Sequence, residues 1–421
     1  MVTTPSIRHF RSALHRLLVL WIPILAAPAL AHGDPADFDL NRFFSGEEWV
    51  TDQHIFDPVY RDQPIQAIDM HMHSGRFENM GPLGQQFVLD AIPLPLPEDL
   101  KRALAGTIAA LTRDPYTPFV GIKNECRRAG VVAAVLFAVY TPEAWGIEDN
   151  ETVIDYLDDA RNRYLGVPYF YGFASLNQTD WETREADELS RLRQALTHPK
   201  MVGIKLAFAH NVEPLDNPAF DSIYRVAAEF DAPVYHHIGS SPLRSFEDFE
   251  DDAARERYYR SFYPSFVEGT LRRFPQVRFI LGHMGYDFND EDVDGIDEVF
   301  RLARQYPNAY LEISALGTES HDPDGSQMDR ILATAKQSGL IDRVIYGSDG
   351  PGFPGATQKY LERTLASMER VGYSYEEARA VLSGNFLAVT KLNRRTDFKL
   401  APARMRAPQN DRQPREEAAA N

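Results

Sequence analysis

Histidine and aspartate side chains recur at the ends of short apolar segments along most of the chain. His71 and His73 close one such segment, His283 follows another, and Asp349 follows the last one. A strand directs alternate side chains to the same face, so His71 and His73 can point to a common centre. Neutral imidazole and carboxylate oxygen are ligands of zinc and similar divalent cations, and such a cation can activate water at neutral pH. The types and spacing of these residues therefore predict a hydrolytic metal site.

Two other segments carry basic residues. The local sequence does not decide which way the two histidines of one segment point, or which residue pairs with the lysine of the other. His236 and His237 are adjacent at the end of one segment, and because neighbouring side chains of a strand alternate, one faces the predicted site and the other packs outward. Lys205 lies inside an apolar segment, where burying an ammonium group is costly unless a partner compensates it. A carboxylate such as Asp69 or Asp349 is a candidate partner.

The segments that carry these residues are predicted strands of one sheet. Each is rich in β-branched or aromatic residues, and helical patterns separate them, which is typical of βα units with parallel strands. Eight strands are predicted, at residues 66–71, 130–140, 169–175, 202–208, 233–237, 277–281, 309–313 and 343–346. Eight alternating units favour a closed (β/α)8 TIM barrel over an open doubly wound sheet. Active sites of such barrels lie at the carboxyl ends of the strands, where the polar residues stand.

Two connections are longer than the barrel requires. The connection after strand one extends to about residue 128 and contains a predicted helix at residues 98–111. The connection after strand five, residues 240–274, is acidic and aromatic, which favours an inserted helical lid followed by the outer helix, with a plain pair of surface helices as the alternative. The remaining helices are predicted at residues 151–162, 182–196, 218–230, 296–305, 326–338, 358–371 and 375–382. The predicted fold class is α/β: a TIM barrel with helical insertions after strands one and five.

The two ends of the chain differ in composition from the rest. Residues 1–31 combine three arginines, no acidic residue, an apolar run at residues 17–27 and a closing Ala-Leu-Ala, which are the features of a cleaved secretory signal peptide. The alternative, a membrane anchor, is disfavoured because the run is too short to span a bilayer. The predicted domains are a signal peptide (1–31), an N-terminal extension that packs on the barrel (32–64), a metal-dependent hydrolase barrel (65–393) and a disordered tail (394–421). The mature protein is therefore expected in the periplasm or outside the cell.

Composition narrows the classes of partner. The formal net charge is −17, whereas nucleic-acid affinity depends on basic patches, so no nucleic acid is expected as a partner. Cys126 is the only cysteine, which excludes an internal disulfide even in an oxidising compartment. After signal cleavage no stable membrane insertion is expected, because no later segment is long and apolar enough. A small-molecule substrate is the expected partner, and assembly into a homo-oligomer is left open.

Together the motifs resemble a known family. The five motifs are His71-Met-His73, Gly203-Ile-Lys205, Pro233 to Gly239, Gly282-His-Met-Gly285 and Gly347-Ser-Asp349, and they occur in this order along the chain. This pattern resembles the amidohydrolase superfamily, in its amidohydrolase-related (family 2) branch, and the closing Leu-Ser-Gly-Asn-Phe at residues 382–386 is similar to that branch's C-terminal signature. The resemblance spans residues 65–392. The extra His236 and the two long insertions depart from the shared pattern.

The resemblance implies a role for each motif residue. It implies that His71, His73, His237 and Asp349 bind the metal, with His237 selected over His236 by its distance from the motif's proline and glycine. By the same resemblance His283 lies beside the metal-bound water, or holds a second ion in members with two metals. Lys205 matches the lysine that is carboxylated and bridges both ions in those members. Zinc is the favoured cofactor, with one ion favoured and two expected if Lys205 is carboxylated.

The expected reaction is hydrolysis of a carboxylic ester, lactone or amide by a metal-activated water. Asp349 is expected to accept the proton of this water and to pass it to the leaving group, and His283 to position the nucleophile or to polarise the carbonyl. The alternatives are a non-oxidative decarboxylase or hydratase of an aromatic or unsaturated acid, for which Arg76 is a candidate carboxylate ligand, and a barrel that binds a small ligand without catalysis. The substrate-binding residues are unknown; the candidates for lining a pocket are Tyr140, Phe208, His210 and Phe353.

Overall fold

The computed structural model of the protein describes residues 55–75, 77–90, 92, 95–112, 118–351 and 355–402. The predicted signal peptide (1–31), the first part of the predicted N-terminal extension and residues 403–421 lie outside the described residues. Arg76 and Phe353 lie outside them as well. Within the described residues, no helix has both the length and the apolar character needed to cross a membrane.

Eight parallel strands form one closed sheet. In chain order they are β1 (Ala67–His73), β2 (Val131–Phe137), β3 (Phe170–Ala174), β4 (Met201–Leu206), β5 (Val234–Gly239), β6 (Phe279–Tyr286), β7 (Ala309–Glu312) and β8 (Val344–Ile345). Each strand pairs with the next in the chain, from β1 to β8. The chain after β8 then returns to β1, where the His73 backbone N–H donates to Gly350 O (2.7 Å) and the Gly350 N–H donates to His71 O (3.0 Å). The predicted TIM barrel is confirmed.

Successive side chains of each barrel strand point alternately into the barrel and towards the surrounding helices, and so form two separate buried layers. One set of buried residues fills the barrel interior, including Ile68, Phe137, Phe173, Tyr235 and Ile280. Their strand neighbours, such as Leu136, Val234 and Leu281, belong to a larger core between the strands and the surrounding helices. Because both faces of a parallel barrel strand are buried, its sequence is an apolar run rather than an alternating one. Most residues inside the strands are therefore apolar, and Asp69 of β1 and Lys205 of β4 are exceptions.

Helices surround the barrel and fill the long connections. The α-helices are α1 (Pro82–Asp90), α2 (Glu98–Thr112), α3 (Pro118–Arg128), α4 (Asn150–Asp158), α5 (Trp181–Leu196), α6 (Phe208–Asn211), α7 (Asp221–Glu229), α8 (Asp252–Phe262), α9 (Glu268–Arg273), α10 (Ile296–Gln305), α11 (Ser326–Gln337), α12 (Ala356–Val371), α13 (Tyr375–Arg379) and α14 (Asn385–Val389). The 3-10 helices are Phe77–Asn79, Pro218–Phe220, Phe246–Asp248, Pro264–Val267, Ile341–Arg343 and Leu392–Arg394, and one π-helical segment spans Ala380–Gly384. Helices α1 and α3 were not expected from the sequence, and the connection after β5 contains α8 and α9.

The sixth strand extends further than the sequence pattern predicts. The expected strand stops at Leu281, where the apolar run ends, whereas β6 continues to Tyr286. Within this extension His283, Met284 and Gly285 have positive φ angles of 56°, 52° and 76°. Such a backbone is uncommon for side chains other than glycine, and it bends the strand end where His283 is presented to the barrel mouth.

Both ends of the described chain lie against the barrel. Tyr60, in the short hairpin Val59–Tyr60 and Gln63–Pro64, is fully buried and donates its hydroxyl to Tyr373 O (2.9 Å). At the other end Phe398 packs on Tyr171 with ring centroids 5.8 Å apart, and Ala401 is buried. The sequence predicts a disordered tail from residue 394, and the part of it that is described, up to residue 402, contacts the barrel.

Candidate metal centre

Three ligand-type atoms, two from β1 and one from the loop after β8, come together at the mouth of the barrel. His71 Nε2 lies 3.0 Å from His73 Nε2 and 3.1 Å from Asp349 Oδ1, and His73 Nε2 lies 3.3 Å from the same carboxylate oxygen. Donor atoms around a first-row divalent cation lie roughly 3 Å apart, because each bond to the cation is about 2 Å long. This donor set of two imidazole nitrogens and one carboxylate oxygen therefore fits such a cation.

Burial differs among the three side chains, which leaves the site accessible from one side. The His71 side chain is fully buried, whereas those of His73 and Asp349 are 36% and 30% exposed. Burial lowers the pKa of His71 well below its usual range, so its ring is neutral and able to bind a metal. For Asp349, burial raises the pKa, but the neighbouring His71 and His73 outweigh it and hold this pKa well below the usual range. Solvent can therefore reach the site from the side of His73 and Asp349.

A second buried carboxylate fixes the loop that carries Asp349. Asp69 Oδ1, inside β1, accepts the backbone N–H groups of His71 (3.1 Å) and of Ser348 (3.0 Å). Burial raises the pKa of Asp69 to about 7. Asp349 itself has a positive φ of 63°, so this bonding holds a strained loop in place. From the sequence, Asp69 is a candidate partner only for Lys205; in the structure it accepts these backbone N–H groups instead.

His237 and His283 lie side by side next to the three-atom cluster. Their ring centroids are 4.5 Å apart, and the His283 ring is 5.1 Å from the His71 ring. Burial lowers the pKa of both, for His283 to about 4. His237 Nε2 is 3.3 Å from Ser240 O, and the compact groups of potential ligands found among the described residues do not include it. The structure thus brings all four predicted histidines to one mouth, with His237 at its periphery.

Packing around β5 decides which of His236 and His237 faces the barrel mouth. His236 points away from the mouth: its Nε2 is 3.1 Å from the Tyr224 hydroxyl of α7, and its ring contacts Phe208 at 5.3 Å. His237, its neighbour, must then face inward. Phe208 is fully buried in this outer layer, so the prediction that Phe208 lines a pocket is wrong. The reason is that the chain turns into α6 at this residue and directs it onto the helices.

Lys205 is buried without the carboxylate partner considered for it. Its Nζ lies 4.0 Å from the centroid of the Tyr235 ring and 4.8 Å from that of Phe137. Among the described residues no ion pair to Asp69 or Asp349 is formed. The ammonium lies against the π-faces of two interior aromatic rings, and the more distant charges of Asp349 and Glu312 also favour its protonated form. Burial lowers the pKa of Lys205 to about 7.

Glu312 is a residue of this site that the sequence analysis missed. It ends β7, its side chain is fully buried, and with His71 and His283 it forms a group whose ligand-type atoms lie within 4.8 Å of one another. Its Oε2 accepts hydrogen bonds from Ser314 Oγ (2.8 Å) and from the Tyr235 hydroxyl (3.2 Å). The signal was available: a carboxylate that closes an apolar strand, as the histidines do.

Of the candidate pocket residues, His210 and Tyr140 lie near the mouth. The His210 ring is 4.5 Å from that of His237 and 6.2 Å from that of Trp145, and its Nδ1 is 2.9 Å from Ser241 Oγ. Tyr140 O accepts a hydrogen bond from Asn211 Nδ2 (2.8 Å). These residues form one wall beside the histidines.

Comparison with known proteins adds the family. The family model described as amidohydrolase (family 2) matches residues 68–388. An uncharacterised TIM-barrel protein from Bordetella bronchiseptica is 15% identical, with 78% of this chain and all of that one covered and a TM-score of 0.52. A protein from Lactobacillus casei assigned as a metal-dependent hydrolase is also 15% identical, with 78% and 96% of the two chains covered and a TM-score of 0.50. These likenesses show the fold. No curated protein matches the chain.

A 5-carboxyvanillate decarboxylase from Novosphingobium aromaticivorans, complexed with manganese, is 17% identical, with 78% of this chain and 96% of that one covered and a TM-score of 0.49. The family match covers most of the chain, including β1, β4, β5, β6 and the Asp349 loop, which carry the predicted site residues. The chain therefore belongs to the amidohydrolase family, and it is an enzyme of the metal-dependent amidohydrolase type.

Proposed function

We propose that this enzyme hydrolyses a carboxylic ester, lactone or amide of a small molecule with a metal-activated water. The observation that carries the proposal is the mutual approach of His71 Nε2, His73 Nε2 and Asp349 Oδ1 within 3.3 Å at the accessible barrel mouth. A bound zinc-like cation would supply Lewis acidity, which lowers the pKa of a coordinated water towards about 7. A hydrolytic nucleophile would then be available near neutral pH.

The residues of the chain would divide the remaining tasks. His71, His73, His237 and Asp349 would hold the cation, with the buried rings of His71 and His237 kept neutral and competent as ligands. The Asp349 carboxylate would accept the proton of the attacking water and deliver it to the leaving group, because it is the partly exposed acceptor at the centre. His283, inside the same ring cluster, would orient the nucleophile or the scissile carbonyl.

The metal is proposed to be zinc, with one ion per chain. Support comes from the imidazole and carboxylate donors and from the position of Lys205, whose Nζ lies over two aromatic rings and in no ion pair among the described residues. Two ions would require a carboxylated Lys205, which remains the alternative. Export is proposed from the composition of residues 1–31 alone, and N-terminal sequencing of the mature protein tests it: cleavage is expected after Ala31.

The deciding experiment combines metal analysis with the Asp349→Asn variant. The purified wild type is assayed for hydrolysis of a panel of lactones, esters and amides. In a parallel assay it is incubated with aromatic acids, and CO₂ release is measured. Asp349→Asn is expected to retain the wild-type circular dichroism spectrum and to lower kcat/KM by about 10³-fold or more, because the variant loses an anionic ligand and the proton acceptor together. The exposed Asp187 of α5 provides a matched control, since Asp187→Asn changes a solvent-exposed helix carboxylate outside the candidate metal centre and should leave kcat/KM unchanged.

Two results would contradict the proposal. Full hydrolytic activity in Asp349→Asn would exclude the role given to this carboxylate. Release of CO₂ from aromatic acids without hydrolysis of any member of the panel would replace hydrolysis by the decarboxylase alternative.

A further inference from the structure

One oxygen of Glu312 is the acceptor of a hydrogen-bond network behind the candidate metal centre. Its Oε2 faces three donors: the backbone N–H of His283 (3.3 Å), Ser314 Oγ (2.8 Å) and the Tyr235 hydroxyl (3.2 Å). A backbone N–H can only donate, so Oε2 is an acceptor whatever the directions of the hydroxyl protons. All the side chains that surround it are buried, so solvent does not supply a competing donor.

The hydroxyl of Ser314 has three neighbours, and their number matches its bonding capacity. Besides Glu312 Oε2, Ser314 Oγ lies 3.0 Å from His71 Nδ1 and 3.0 Å from His283 Nδ1. A serine hydroxyl has one proton to donate and two lone pairs with which to accept. If the proton goes to Glu312, at the shortest of the three distances, both histidines must donate their Nδ1–H to Ser314.

The Tyr235 hydroxyl leads to the same assignment. It donates to Glu312 Oε2 and lies 3.1 Å from His71 Nδ1, so its oxygen is free to accept a proton from that ring. Both hydroxyls therefore favour the Nδ1–H form of His71, because each can accept that proton while donating its own to Glu312. In a neutral imidazole a proton on Nδ1 leaves Nε2 as the lone-pair atom, and His71 Nε2 is the atom that lies in the candidate metal centre.

We infer that Glu312 is a positioning residue that acts through Ser314 and Tyr235 to fix His71 and His283 in their Nδ1–H tautomers. This rests on the proposed metal function, which it deepens: one buried carboxylate sets the ligand atom of His71 and also makes His283 Nε2 an acceptor. A neutral His283 in this form can accept a hydrogen bond from the attacking water, but it cannot donate one to the scissile carbonyl. Of the two tasks considered for His283, orienting the nucleophile is then the one it performs.

The test measures tautomers in the metal-free protein by ¹⁵N NMR of protein labelled at histidine, with His71 and His283 assigned from single His→Gln variants. In the wild type, both residues are expected to show a protonated, pyrrole-like Nδ1, and His283 an unprotonated, pyridine-like Nε2. In Glu312→Gln the amide can place either its oxygen or its NH₂ against Ser314, so mixed tautomers are expected. Zinc binding, measured by competition with a chelator, should weaken about 10–100-fold.

Two further variants complete the design. Ser314→Ala should reproduce the loss of zinc affinity. The double variant Glu312→Gln with Ser314→Ala should bind zinc no more weakly than the weaker-binding single variant, because both substitutions interrupt the same hydrogen-bond path. Glu188 is a matched control: it is buried on α5, accepts hydrogen bonds from Asn177 N (3.0 Å) and Arg184 Nη2 (2.9 Å), and has no hydrogen bond to His71, His283 or Ser314 among the described residues. Glu188→Gln should leave both histidine tautomers and the zinc affinity unchanged.

Each outcome decides the matter. An unprotonated Nδ1 of His71 in the wild type, or tautomers unchanged by Glu312→Gln, would overturn the inference. So would loss of one of two bound ions in Glu312→Gln with unaltered tautomers, since Glu312 would then be a ligand itself. Because the tautomers are measured without metal, a wild type that binds no zinc would refute the proposed function and leave this result standing. If Glu312→Gln does not fold, the wild-type spectrum and Ser314→Ala still decide.

Discussion

Replacing Gly347 by alanine tests how tightly the buried side chains are packed behind the candidate metal centre. A Cβ at this position would lie 2.2 Å from Glu312 Oε1 and 2.9 Å from the Cβ of His71. Ordinary contacts of a Cβ begin at 3.4 Å, so the carboxylate must move by more than about 1 Å. It cannot move into solvent, because Glu312 is fully buried and its other oxygen is held by Ser314 and Tyr235.

The magnitude follows from two opposing effects. Overpacking of a buried site costs about 1–3 kcal/mol, and disruption of a hydrogen bond to a charged group costs about 1.5–3 kcal/mol. Restricting the unfolded chain by a Gly→Ala change contributes only about 0.4–1 kcal/mol in the opposite direction. The clash dominates, and we expect Gly347→Ala to lower the free energy of unfolding by about 2–4 kcal/mol.

The assay is urea unfolding followed by circular dichroism, with zinc affinity measured in parallel by competition with a chelator. Zinc affinity should fall about tenfold or more, because displaced Glu312 no longer orients His71. Gly75 is the matched control: it follows β1 at the same mouth, and an added Cβ there meets no atom of the described residues within 4 Å. Gly75→Ala should stay within about 0.5 kcal/mol of the wild type. A Gly347→Ala variant with wild-type stability and wild-type zinc affinity would refute the packing argument.

Two further predictions concern Lys205 and a surface ion pair. Lys205→Met removes an ammonium group that is buried without an ion pair among the described residues, so the free energy of unfolding should stay within about 1 kcal/mol of the wild type or rise. The metal content, measured by mass spectrometry, should stay at one ion per chain. A fall from two ions to one would favour a bridging lysine. Hydrogen bonds from Arg301 (2.6 Å) and Tyr306 (2.8 Å) hold the pKa of Glu268 below its usual 4.5. The stabilisation of the folded state by the ionised Glu268 is therefore present above pH 4.5 and is lost as the pH falls through the lowered pKa. The stability difference between wild type and Glu268→Gln, less than about 1 kcal/mol at pH 7 for these partly exposed groups, should vanish near pH 2, and a difference independent of pH would contradict the assignment.

Most of the strands, and the polar residues at their ends, could be predicted from the sequence. Strand burial on both faces produces apolar runs, and a polar residue closing such a run is conspicuous, as at His71, His283 and Asp349. Helix α10 was predicted with its observed bounds, Ile296–Gln305, because its apolar residues recur at the helical period. Helices α1 and α3 were missed because they lie in connections whose sequences are rich in proline or in charged residues.

The contacts of Glu312 could not be predicted from the sequence around it. Glu312 closes an apolar strand, but nothing in its neighbourhood along the chain indicates that three donors converge on it. Tyr235 precedes it by 77 residues and belongs to β5, and His71 precedes it by more than two hundred. Lys205 illustrates the same limit, because the two rings that cover its ammonium come from β2 and β5.

By itself the sequence determined the alternation of strands and helices and which residues close the strands, because burial and periodicity are properties of consecutive residues. Only the tertiary structure decided which way each side chain points and which of them meet. At β5 the alternation requires that His236 and His237 face opposite sides, but the choice depends on Tyr224 and Phe208, which cover His236 from the outer helices. Closure of β8 onto β1 brings Asp349 within 3.3 Å of His71 and His73, and that distance depends on the whole ring of strands rather than on any segment of the chain.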